Sequence, residues 1–259
     1  MYPATCPKCA TARVRTPDGP AVSCACCGLV FSKWIEAQSG RGLDPEEAAG
    51  GRPGSPWLDG RMGGFLARLT APPRGMGSAS RILHGLLLAA LFLYSWSFIL
   101  GDVRTADAWN GFLHGVNLVF HEAGHVFMMP FGRFMHVLGG TLGQLAIPLI
   151  VTVAFIVKRD DTVGASVGLW WFGQSLTDCA PYIADARKLD LQLLGGGTGA
   201  ERDGHDWEYL LHTLGLAQYD LLLGSLAKYT GGAIMLLAVA WGGWMLWRAQ
   251  ADGARPAGI

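Results

Sequence analysis

His121, Glu122 and His125 lie in the stretch Phe120 to Phe127, which reads FHEAGHVF, and their types and spacing point directly to metal chemistry. On a helix, residues four apart lie on one face about one turn from each other, so His121 and His125 can hold one zinc ion through their imidazole nitrogens. Glu122 lies next to that face, near enough to take a proton from a water acidified by the metal. His114 and Asn117 precede His121 by seven and four positions and extend a single polar stripe along a helix whose other faces are Phe, Leu, Val and Met. Ionisable groups in so apolar a helix are costly unless they face a protein interior, a water-filled cavity or a metal.

The elements that must position this stripe have a membrane composition. Apolar residues make up 51% of the 259-residue chain and charged residues 15%, with ten Trp and a mean hydropathy of +0.29, which argues against an ordinary soluble domain. The formal net charge is zero and the pI near 7, so no basic field invites nucleic acid. The opening residues, MYPATCPKC, lack a basic stretch followed by an apolar run, so no cleavable signal is expected and the N-terminus is placed in the cytoplasm.

Five of the six cysteines fall in the first 27 residues and Cys179 stands alone. Cys6-Pro-Lys-Cys9, fourteen residues, then Cys24-Ala-Cys-Cys27 gives CxxC twice at a separation suited to a tetrahedral site of four thiolates. So small a segment buries too little apolar surface to fold alone, and a structural zinc on Cys6, Cys9, Cys24 and Cys27 would supply the missing energy. Cys26 is a fifth thiol that could substitute for a neighbour. The segment resembles the short zinc ribbons that open many bacterial proteins; its role could be docking of a protein partner, regulation or stability, and the location expected for the chain is a bacterial inner membrane.

The expected organisation is a zinc ribbon over 1–36, a flexible Gly/Pro-rich linker over 37–80, a transmembrane domain over 81–250 and a tail over 251–259. Apolar runs predict spans at 82–101, 109–130, 141–157, 163–183 and 233–247, with the amphipathic stretch 207–227 as a possible sixth. Phe131 to Gly140, rich in glycine, reads as a re-entrant hairpin beside the metal. Arg61, Arg68, Arg74 and Arg81 put the start of the first span on the cytoplasmic side, and Trp241, Trp244 and Trp247 anchor the last one at an interface. The fold class is mainly α: a polytopic helical membrane protein of five or six spans behind a small ribbon.

A catalytic zinc needs a third protein ligand and an open position for water. Gln174, Asp178, Tyr182 and Asp185 are spaced by four, four and three on the fourth span and form a second polar stripe. Here the chain resembles the intramembrane zinc metalloproteases of the site-2 protease type, which pair a membrane-embedded HExxH with a later N-x-x-P…D-G motif. Asp178-Cys-Ala-Pro181-Tyr-Ile-Ala-Asp185-Ala is similar to that motif, with Asp178 in place of Asn and Ala186 in place of Gly. The resemblance, over residues 110 to 190, implies Asp185 as third ligand; Asp178 and a loop ligand at His205-Asp206 remain alternatives. His114, Asn117, Gln144 and Tyr182 are candidates to support the ligands or to stabilise an oxyanion.

The function expected is a zinc metalloprotease that cleaves a membrane or membrane-proximal protein inside the lipid bilayer, with Glu122 as general base. A second reading is a metal-binding membrane protein without hydrolysis, acting as a sensor, transporter or assembly factor. A third, a scaffold whose polar stripes merely bond across helices, fits poorly with so many ionisable groups. Both metal readings predict two metal ions per chain. Elemental analysis of purified protein should show one ion lost with His121→Ala or His125→Ala and the other with deletion of residues 1–36.

Overall fold

Two short CxxC turns recur in the N-terminal unit, and among the described residues the rest is built of helices, three of them in segments long and apolar enough to cross a membrane. In a computed structural model the chain divides into two compact units, residues 1–59 and 60–259. The structure describes residues 5–9, 11–12, 15–16, 19–20, 22–27, 29–31, 67–73, 76–105 and 111–253. Most of the linker expected at 37–80 and the end of the tail lie outside the described residues.

In the first unit the two CxxC turns are built alike. The Cys6 N–H donates to Thr11 O (2.8 Å) and the Cys24 N–H to Leu29 O (2.9 Å), and isolated bridges Thr5↔Ala12 and Ser23↔Val30 flank them. Between the turns runs a two-stranded antiparallel ladder, β1 (Arg15–Thr16) against β2 (Gly19–Pro20). Phe31 is fully buried against Cys6 and Cys24. The Sγ atoms of Cys6, Cys9, Cys24 and Cys27 lie within 4.8 Å of one another and could hold a metal ion, while Cys26 is exposed. The Thr11 hydroxyl and backbone N–H draw the Cys9 thiol down to about 6, toward the thiolate that ligation needs.

The second unit is helical: α1 (Ser78–Leu100), α2 (Phe112–Met128), α3 (Arg133–Ala154), α4 (Thr162–Ala184), α5 (Asp206–Thr213) and α6 (Asp220–Gly253). The segments Ser78–Leu100, Arg133–Arg159 and Ala217–Ala251 are long and apolar enough to cross a membrane. Their outward faces carry exposed side chains such as Leu83, Leu93, Ile150 and Leu237, the pattern that an apolar surrounding favours. At 17 residues α2 is shorter, and α4 buries 16 of its 23 residues against the other helices, which lets it carry Gln174, Ser175 and Asp178.

Sequence and structure part company at three places. Phe131 to Gly140 is no re-entrant hairpin: after a 3-10 turn at Met129–Phe131, Gly132 (φ +90°) starts α3, which runs straight through Gly139 and Gly140. These glycines serve helix packing rather than a turn. The amphipathic stretch 207–227 splits, since Gly215 (φ +67°) ends α5 and a 3-10 turn at Ala217–Tyr219 leads into α6. The last apolar helix therefore begins at Asp220 rather than near 233. Residues 67–71 strap across one end of the unit: Trp241 Nε1 donates to Leu69 O (3.0 Å), Thr162 Oγ1 to Ala71 O (3.1 Å) and Arg68 Nη1 to Val157 O (2.9 Å).

The helix that carries HExxH is held by backbone contact. A Cβ on Gly124 would lie 2.0 Å from Gly139 O, one on Gly139 2.5 Å from Gly124 O, and one on Gly143 2.5 Å from Phe120 O. Helices approach so closely only where side chains are missing. Gly124→Ala should cost about 1–3 kcal/mol or more because backbone cannot move aside, roughly 5 °C in the thermal midpoint. Gly85→Ala on α1, with open space around it, should leave that midpoint unchanged or slightly raised.

Candidate metal centre

Both histidines of the motif lie on α2 and face α3, where Gly140 leaves room for their rings. A Cβ on Gly140 would sit 2.4 Å from His121 Nε2 and 2.6 Å from His125 Nε2, so the absence of a side chain there makes the space in which the two nitrogens meet. His121, Glu122 and His125 each bring a ligand atom within 4.8 Å of the others. The carboxylate that closes on the pair is Asp206, the first residue of α5: its Oδ2 lies 2.9 Å from His121 Nε2 and 3.2 Å from His125 Nε2. Burial raises the Asp206 carboxyl, but hydrogen bonds to the two imidazoles outweigh it and hold the group below the usual carboxylate range.

The outer nitrogens of the rings are fixed as well. His125 Nδ1 donates to the backbone carbonyl of His136 (2.8 Å), and His136 Nδ1 returns a bond to His125 O (2.8 Å). His121 Nδ1 bonds to Gln144 Oε1 at 3.2 Å. With Nδ1 donating on both rings, Nε2 is the nitrogen left to face Asp206, as an N–H toward the carboxylate or, with that hydrogen displaced, as a lone pair toward a cation.

Other residues singled out from the sequence are placed around this centre. Asp185 does not face the histidines; it accepts from the backbone N–H groups of Asp190 (3.1 Å) and Leu191 (3.0 Å) and lies 3.5 Å from His205 Nε2. Burial raises its carboxyl, yet His205 and the two N–H groups hold it low. Asp185 and His205 thus close the base of the loop that delivers Asp206, and His205 Nδ1 caps α5 by accepting from Glu208 N–H (3.1 Å). Asp178, further up α4, lines the same cavity and accepts from His114, Asn117 and Gln144. Asn117 donates to Gln174 Oε1 and accepts from Trp171 and Ser175. The Tyr182 hydroxyl accepts from the Asp206 N–H (3.0 Å) and so positions the carboxylate.

No family model, curated protein or solved structure matches this chain.

The chemistry of the centre follows from its own geometry. Ligand atoms about 2.0–2.1 Å from a tetrahedral ion stand about 3.3 Å apart, close to the two distances to Asp206 Oδ2. Two imidazole nitrogens of fixed tautomer, one carboxylate oxygen and a floor without a Cβ form a donor set that fits a divalent cation. The centre opens into a cavity of about 500 Å³ lined by His114, Leu118, Glu122, Tyr182, Leu193 and Leu194 among others. The floor is polar and part of the rim apolar.

Sequence reasoning passed over Gly140 as the floor of the centre and the carbonyl of His136, and reached Asp206 only within an alternative loop ligand, His205-Asp206. Only Asp206 carried a signal: it follows His205 in a polar loop and opens an acidic first turn, Asp206 with Glu208. Gly140→Ala should lower zinc affinity at the histidines by at least about tenfold while the cysteine-bound ion stays, measured by competition with a chromophoric chelator. Asp206→Asn should do the same, by an expected 10–100-fold.

Proposed function

We propose that this chain is a membrane-embedded zinc metallopeptidase that hydrolyses peptide bonds in membrane or membrane-proximal proteins. The observation that carries the reading is the meeting of His121 Nε2, His125 Nε2 and Asp206 Oδ2 at one point, with Glu122 beside them on the wall of a cavity. His121, His125 and Asp206 would hold the ion. Bound there, zinc supplies a Lewis acid that polarises a carbonyl and acidifies a water.

The chain's own residues do the rest. Glu122 takes a proton as the water oxygen attacks the peptide carbonyl, and returns it to the amine nitrogen as the C–N bond breaks. Gln144 and Tyr182 act by holding His121 and Asp206 in place. Leu118, Leu193 and Leu194 line the approach and suit a locally unwound apolar segment, since a helical substrate hides the carbonyl that must be attacked.

The finer features expected from the sequence fit this reading. A second, structural zinc on Cys6, Cys9, Cys24 and Cys27 makes residues 1–36 a ribbon and a docking site for a protein partner. Counting α2 and α4 with the three apolar helices gives five spans, the two less apolar ones tolerated because their polar faces turn inward. At eight residues, about 12 Å long, α5 is too short to be a sixth. Metal binding without hydrolysis is the weaker reading because it leaves Glu122 with no part to play.

Glu122→Gln decides between these readings. In co-reconstituted vesicles with a panel of single-span apolar substrates, the variant should keep both metal ions and lose cleavage by about 10²–10⁴-fold. Cleavage at the wild-type rate would overturn catalysis by this centre.

A further inference from the structure

We propose that Asp178 sets which nitrogen of His121 is offered to the metal, acting through the side-chain amide of Gln144; the inference rests on the metal-centre reading above. Asp178, on α4, is 3% exposed. Its Oδ2 accepts from Gln144 Nε2 at 3.0 Å and from Asn117 Nδ2 at 3.1 Å, and His114 Nδ1 stands 3.1 Å from both of its oxygens. The hydrolytic chemistry makes no direct use of this buried carboxylate.

The two histidines of the centre are oriented by different means. His125 Nδ1 bonds to the carbonyl of His136, a main-chain acceptor locked inside α3 that cannot become a donor. His121 Nδ1 bonds instead to the side-chain amide of Gln144, which offers an acceptor at one end and a donor at the other. Turned by 180°, that amide would present N–H groups to His121, leave Nδ1 as the unprotonated nitrogen and put hydrogen on Nε2, the atom that faces Asp206.

What prevents the turn is the other end of the amide. Gln144 Nε2 points at Asp178 Oδ2 (3.0 Å) and at the Ser175 carbonyl (3.3 Å), both acceptors. Reversal would set the amide oxygen against two oxygens in a buried site, where unmade hydrogen bonds are expensive. Asp178 therefore fixes the amide, the amide fixes a hydrogen on His121 Nδ1, and Nε2 is the nitrogen left to give its lone pair to an ion at the point shared with His125 and Asp206, displacing the hydrogen it otherwise offers the carboxylate. Asp178 is a positioning residue, two hydrogen bonds away from the ion.

A double-mutant cycle in the full-length protein tests this, read as zinc affinity at the histidine centre by chelator competition, with the cysteine-bound ion as internal standard for folding. Asp178→Asn removes the constraint on the amide, and Gln144→Glu sets a carboxylate against Asp178; each should weaken zinc by about 10–100-fold. The double variant restores a donor facing an acceptor, so it should bind within about fivefold of wild type, far from the summed losses. Gln144→Met, which keeps the shape without the amide, should lose about as much as Asp178→Asn and covers the case in which that variant fails to fold. The imidazole ¹⁵N spectrum of the zinc-loaded wild type should show the His121 hydrogen on Nδ1. Single variants that hold zinc within about twofold of wild type, or losses that simply add in the double variant, would overturn the relay alone. A wild type that takes up metal only at its cysteines would overturn the metal centre, and the relay with it.

Discussion

The close approach of α2 and α3 is the constraint on which the rest of the helical unit depends. Gly124, Gly139 and Gly143 bring main chain against main chain, and dispersion contacts between the two backbones replace those that side chains would make. Each glycine inside a helix costs about 1 kcal/mol relative to alanine. Here the cost is local and the return is geometric: with α3 so near, Gly140 lies directly beneath both imidazole rings, and the His136 carbonyl comes within reach of His125 Nδ1. A looser pair of helices would leave the two rings free to rotate.

A second layer of order comes from polar side chains buried among apolar ones. Asn117 of α2, Gln144 of α3 and Gln174, Ser175 and Asp178 of α4 share hydrogen bonds across three helices. These shared bonds offset most of the cost of burial, with Gln174 Nε2 left without a partner among the described residues, and tie α2 to α4. Such a lattice tolerates few arrangements, since moving one member strands several others. The same residues that make α4 too polar to stand alone in hydrocarbon thus give the interior a single register.

How much of this could be read from the chain depends on whether a feature is periodic. His121 and His125 sit one helical turn apart, and the polar stripe from His114 onward marks the buried face of α2, so helix and face follow from spacing alone. The CxxC turns announce themselves in the same way, and the structure gathers their four sulfurs. Gly139 and Gly140 were harder: glycine signals a turn as readily as a close helix contact, and only the partner helix decides. The carboxylate partner of the histidines was legible only as an alternative, the loop ligand at His205-Asp206, because nothing local says which way a polar loop returns. Asp185 carries the motif-like spacing, yet the backbone N–H groups of Asp190 and Leu191 need an acceptor and take it.

His121 and His125 share one helix, whereas Asp206 opens α5 at the base of a loop that contains Gly195, Gly196 and Gly197, all at positive φ, and that is pinned beside it by Asp185 and His205. The three donors therefore come from two distant parts of the chain. An ion at the point they share would draw two donors from α2 and one from the start of α5. A cation bound there would join the two, so that metal occupancy would stabilise the return of the loop as well as the helix that carries the motif.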